Sequence, residues 1–244
     1  MACISSRALL ALLLCLASAS AAPSDCPAGQ AGHRRANTFG DDSLHAGDLA
    51  TAEACYEAAL AAKPDFPMAL KGLGEVAMSR GEHATAVAWL EKATAAWDGY
   101  SAGWLRLGDA RDAAGRPKAA RKAWEAAVRA DPKAALAWEA LARGHVARGR
   151  AQKATSVYRA ALLEVPDNPG LHAGLALALR ASGSPSECVA EAERASSLAP
   201  GMGVAHHRRG LCLSDLGRGE EALLALEEAC SSSGTGFVAA LEGG

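Results

Sequence analysis

"GWLRLGDARDAAGRPKAARKAWEAAVRADP" runs from Gly103 to Pro132. The stretch is rich in helix formers, yet Gly108, Gly115, Pro117 and Pro132 interrupt it. Glycine costs about 1 kcal/mol and proline about 3 kcal/mol in a helix interior, so one continuous helix does not fit. Two helices with a break at Gly115 and a stop at Pro132 do fit.

Steps of 34 residues explain the punctuation. Gly115 has counterparts at Gly47, Gly81, Gly149, Gly183 and Gly217. A second column reads Ala59, Ala93, Ala127, Ala161, Ala195, Ala229. A third reads Ala52, Ala86, Ala120, Ala154, Cys188, Ala222, and a fourth Gly40, Gly74, Gly108, Ala142, Ala176, Gly210. Pro64, Pro132, Pro166 and Pro200 close four units; Asp98 and Gly234 stand at the same position in the other two. Six units fill residues 33–236, as 33–66, 67–100, 101–134, 135–168, 169–202 and 203–236, without insertion.

Each unit has room for two helices of roughly 12 to 14 residues, about 20 Å long. The mid-unit glycine is placed to take the left-handed conformation that ends the first helix. The small columns are placed to let helix axes approach at the near end of the usual 8–10 Å range. Leu105, Leu107, Val128, Leu136, Leu141 and Val157 supply apolar bulk on or near these faces. One helix pair cannot bury its apolar stripe, but stacked neighbours can, so the pattern predicts an all-α solenoid.

Residues Trp104, Leu107, Gly108, Ala120, Trp124 and Pro132 resemble the tetratricopeptide repeat pattern of Trp–Leu–Gly followed by Ala, an aromatic and Pro. The pattern recurs as Trp138, Leu141, Ala142, Ala154, Tyr158, Pro166, and in part as Phe39, Gly40, Ala52, Tyr56, Pro64. His172 and His206 depart from it where tryptophan stood. The resemblance implies a right-handed α-solenoid of antiparallel helix pairs. It also implies a protein-binding scaffold whose concave face, made by the first helix of each repeat, holds a protein or peptide.

On that reading Asn37, Asp41, Lys71, Glu75, Arg106, Asp109, Asp112, Glu139, Arg143, Leu177, Arg180 and Leu211 project into the groove; an ordinary solvated face is the plainer alternative. Some relatives clamp a free carboxylate with Lys, Asn and Arg. Only Asn37 and Lys71 match fragments of that set, and Asp41 and Glu75 would repel a carboxylate, so that ligand is not carried over.

The first 21 residues read as a signal peptide. Arg7 precedes the apolar run Ala8–Leu16, and Ala19-Ser20-Ala21 forms a small-residue cleavage pattern. The run is shorter than the ~20 residues a membrane span needs, and no other apolar segment reaches that length. Residues 22–32 form a linker and 237–244 a short tail. The chain after residue 21 is thus expected to be extracytoplasmic, periplasmic or secreted. It would keep Cys26, Cys55, Cys188, Cys212 and Cys230. Antiparallel packing makes Cys188 and Cys212 a candidate disulfide; small buried cysteines replacing alanine are the alternative. Cys26 with Cys55 is a second candidate, and an odd count leaves at least one thiol over.

The sequence does not read as an enzyme, and it implies no cofactor or metal. HExxH, GxSxG, CxxC and a phosphate-binding glycine loop are all missing, and the seven histidines scatter. Repeat three has a net charge of +4 and repeat four +2; repeats one, two, five and six have −3, −1, −1 and −2. This basic middle either steers an acidic partner or is a solubilising face. With aromatics at 5%, it argues against nucleic-acid binding. Phe237 and Leu241 in the tail could cover the last helix, and the short cover predicts weak self-association.

Overall fold

The computed structural model describes Cys26 and residues 32–232. The leader, nearly all of the linker, and the tail with Phe237 and Leu241 lie outside the described residues.

The described residues form helices and turns only. In chain order these are α1 (His33–His45), α2 (Leu49–Ala62), α3 (Pro67–Ser79), α4 (His83–Ala96), α5 (Ser101–Ala113), α6 (Pro117–Ala130), α7 (Ala135–Val146), α8 (Ala151–Glu164), α9 (Pro169–Ala181), α10 (Pro185–Leu198), α11 (Gly203–Asp215) and α12 (Gly219–Ser232). Their contacts group them into two compact units, one ending at Trp97 and one beginning at Asp98. Inside each unit every helix packs on the next. Alternate helices also touch, α1 with α3 in the first unit and α5–α7–α9–α11 in the second. This layering is that of a solenoid, in which each pair is buried by its neighbours.

The glycine column supplies the reversals. Gly47, Gly81, Gly115, Gly149, Gly183 and Gly217 all have φ between 67° and 82°, and no other residue type has positive φ among the described residues. The hydrogen bonds explain the requirement. At the end of α5, Gly115 N–H donates to the Asp112 carbonyl (2.9 Å) and Arg116 N–H to the Arg111 carbonyl (2.8 Å). Such paired bonds close a helix through one left-handed residue, where a Cβ would be strained. The second helices stop differently. Asp131, the residue before Pro132, is extended at φ −146°, ψ 97°, as the proline ring demands of its predecessor.

The alanine columns are the helix crossings. Ala59, Ala93, Ala127, Ala161, Ala195 and Ala229 are all buried, as are Ala52, Ala86, Ala120, Ala154, Cys188 and Ala222. The fourth column admits large rings. A Cβ on Gly40 would lie 2.7 Å from Tyr56 Cε1, and one on Gly108 would collide with the Trp124 indole. Tyr56 also abuts Gly72, and Trp124 abuts Gly144. Each ring is thus wedged between the first helix of its own repeat and the first helix of the next. Emptying such a site costs about 3–5 kcal/mol. Leu105, Val128 and Val157 pack against the buried cluster of Ala120, Trp124, Ala140 and Leu141. Leu136 does not join them; it is 67% exposed, because it falls on the outer side of the first turn of α7.

The two histidines that break the repeat pattern keep the local bond of the tryptophans. Trp104 Nε1–H donates to the Asp98 carbonyl (2.6 Å) and Trp138 Nε1–H to the Pro132 carbonyl (2.8 Å). His172 Nε2 stands 2.8 Å from the Pro166 carbonyl and His206 Nε2 3.0 Å from the Pro200 carbonyl. An aromatic N–H six residues after the closing position pins each turn. Disulfides join Cys26 to Cys55 and Cys188 to Cys212, with Cα atoms 4.9 Å and 6.1 Å apart. Cys230 is free and exposed.

Candidate functional site

The face of the first helices holds the predicted groove residues, and each unit arranges them separately. In the first unit, Asn37 is buried rather than projecting. Its amide donates to Asp41 Oδ2 (2.9 Å), and the Tyr56 hydroxyl donates to Asp41 Oδ1 (2.7 Å). Two neutral donors therefore hold the Asp41 carboxylate in place. Lys71 and Glu75, one turn apart on α3, neutralise each other at 2.7 Å.

The second unit repeats the first motif. Trp124 Nε1–H donates to Asp109 Oδ1 (3.1 Å), fifteen residues earlier, just as Tyr56 reaches Asp41. Arg106 lies 3.5 Å and Arg143 3.9 Å from the Asp109 carboxylate. Burial pushes the Asp109 carboxyl above its ordinary value, against the Trp124 bond and the two arginines. Arg143 stays 63% exposed, so much of its charge faces outward. Asp112 is engaged by Arg148, and Arg180 by Asp215 at 2.6 Å, which raises Arg180 and lowers Asp215. Glu139 sits where it acts on Tyr158 and Arg208. The Tyr158 phenol is pushed up to about 12, by burial first and then by Glu139. Leu177 and Leu211 are half-buried on the same helices.

Arg208 is a functional candidate missing from the sequence-based set. It is half-buried, and burial lowers its guanidinium below the ordinary value. It lies three repeat lengths beyond Arg106, and that register was the signal that could have found it.

The arrangement presents fixed charges of both signs on packed helices. It suits ion pairing and hydrogen bonding to another chain. Among the described residues, no three His, Cys, Asp or Glu side chains gather to hold a metal ion, and no helix is long and apolar enough to cross a membrane.

A sequence profile described as tetratricopeptide repeat matches residues 37–101 and 105–171, more than half of the chain. The protein belongs to the tetratricopeptide repeat family. Solved structures agree in fold. A tetratricopeptide repeat protein from Parabacteroides merdae is 16% identical, with 95% of this chain and 88% of that one covered and a TM-score of 0.61. A thermophilic tetratricopeptide repeat protein of Thermus thermophilus, TTC0263, is 22% identical, with 75% and 100% covered and a TM-score of 0.59. YrrB, described as having an unusual peptide-binding site, is 16% identical, with 77% and 96% covered and a TM-score of 0.55. A search of curated proteins finds no match. Tetratricopeptide repeats are scaffolds for protein–protein interaction and are typically non-catalytic, and the fold is the all-α solenoid of helix pairs.

Proposed function

We propose that this tetratricopeptide repeat protein is an exported scaffold that captures a protein or peptide on the face of its first helices. The observation that carries the reading is the pair of tethered acids. Asp41 and Asp109 are each held by a wedge aromatic, and Asp109 is flanked by Arg106 and Arg143. Carboxylates fixed by packed rings lose little entropy when a partner pairs with them. Export is supported by the leader-like residues 1–21 and by two disulfides, which persist in oxidising compartments.

The test is capture from the native extracytoplasmic fraction, with parent and Arg106→Glu/Arg143→Glu chains immobilised in parallel. The reading expects a partner held by the parent and lost by the variant. Equal capture by both would overturn groove use. N-terminal sequencing of the native protein tests export, which predicts Ala22 as the first residue. A second reading, end-to-end assembly without a groove ligand, draws on Leu223 and Leu224 of α12, which are 64% and 60% exposed. Sedimentation showing a concentration-dependent dimer that Leu223→Glu abolishes would favour it.

A further inference from the structure

Two furrows open in the second unit along the edge at which first helices end and second helices begin, and their linings differ. Between α6 and the end of α7 lies a cavity of about 250 Å³. Lys118, Arg121, Arg148 and Arg150 ring it, and the buried side chains of His145, Trp124 and Leu141 lie at its floor. Arg121 is paired with Glu125 (2.7 Å) and Arg148 with Asp112. Lys118 and Arg150 have no ion-pair partner among the described residues, so two positive charges remain uncompensated at the rim. Helices α6 and α8 both begin at this edge without a side-chain cap, which adds their positive ends to the field.

The repeat supplies its own control. Moving five of the lining residues 34 positions on gives residues of the furrow between α8 and α9, a cavity of about 300 Å³. There Gln152 replaces Lys118, Thr155 replaces Arg121, Leu179 replaces His145, Ser182 replaces Arg148 and Ser184 replaces Arg150. Its only ions, Arg159 and Glu187, are paired at 2.6 Å. At the same positions in the first unit, Glu53 pairs with Arg80 (2.6 Å). The fold makes both furrows, and of the two the α6–α7 copy carries the unpaired cations. Packing does not require that charge, since the neighbouring copy forms without it.

We propose that the α6–α7 furrow binds a small phosphate monoester. Its dianion is held by Lys118 and Arg150, with Arg121 and Arg148 beside them. A phosphate monoester carries about −1.5 to −2 at neutral pH, which matches the two uncompensated cations. The volume falls just below the roughly 300–1,000 Å³ of drug-sized sites, so it suits a compact ligand. Burial first, then Arg121, Arg150 and Lys153, hold the His145 imidazole below its ordinary value, with Glu125 opposing; the sign of the field is the one an anion needs. The assignment does not rest on capture at the first-helix face.

Calorimetry with phenyl phosphate on the full chain tests it, with inorganic phosphate and phenyl sulfate as companion probes. The expected result is one saturable site for phenyl phosphate, about tenfold weaker binding of the singly charged sulfate ester, and competition by inorganic phosphate for the same site. The Lys118→Gln/Arg150→Ser variant installs the residues of the uncharged furrow, and its affinity should fall at least about tenfold. Lys122→Gln/Lys133→Gln removes equal charge elsewhere and should stay within about twofold. The His145 ring resonance should titrate at higher pH once phenyl phosphate is bound. Absence of saturation, equal loss in both variants, or equal affinity for phosphate and sulfate esters would overturn the proposal.

Discussion

The furrows at α6–α7 and α8–α9 share a backbone and differ in nearly every side chain that reaches their surface. Beneath them the small residues barely change. Ala120 and Ala127 under one, and Ala154 and Ala161 under the other, are fully buried. Above them, Lys118, Arg121, His145, Arg148 and Arg150 give way to Gln152, Thr155, Leu179, Ser182 and Ser184. The columns therefore hold the helices together, and the positions between columns are free to take on contact. This separation suits a scaffold, because specificity can change without refolding the array.

The comparison can be broken first at Cys188, where a column and a cross-link coincide. Cys188→Ala restores the residue found in the other repeats, so packing stays intact while the bond to Cys212 is lost. Closing a loop of sequence separation 24 contributes about 3 kcal/mol. Cys188→Ala/Cys212→Ala should lose about that much in urea unfolding, and the gap to the parent should close once a reductant opens the remaining disulfides of both chains, Cys26–Cys55 included. A smaller effect is expected at a reversal. Gly115→Ala places a Cβ at φ 71° and should cost about 1–2 kcal/mol, although nothing crowds the site. A loss below the error of the melt would contradict the capping role.

The smallest effect is one of pH. The folded His145 imidazole has a lowered value, so the unfolded chain takes up a proton near 6.5 that the folded chain declines. Its contribution is therefore constant above that pH and destabilises the fold as pH falls below it. His145→Leu, the residue of the neighbouring furrow, should flatten that part of the acid limb. His207, lowered by burial and by Arg208 and Arg180, would keep its share of the slope. Denaturant midpoints from pH 8 to pH 5 would show whether the two curves diverge as pH falls through the range.

Much of this was legible in the sequence because it is local. A glycine forced to positive φ, a proline that stops a helix and an alanine at a crossing each report on a few neighbouring atoms, and the 34-residue period repeats the report. The site was less legible because its geometry crosses helices. Asp41 meets Tyr56 and Asp109 meets Trp124 only once two antiparallel helices are packed, and the same packing buries Asn37. His172 and His206 looked like departures until the ring nitrogen was seen to keep the bond to the closing proline's carbonyl. The excess charge of repeats three and four was plain as a sum. Its focus at one furrow was not, since Lys118 and Arg150 belong to different repeats.

The most direct test of the division between columns and contact positions is a paired thermal melt. One variant overpacks a column, Ala127→Leu; the other carries Lys118→Gln, Arg121→Thr, His145→Leu, Arg148→Ser and Arg150→Ser together. The column variant should lose about 1–3 kcal/mol, visible as a fall of several degrees. The five-residue exchange should melt within about 2 °C of the parent. A column variant as stable as the parent, or an exchange that melts far below it, would contradict the account.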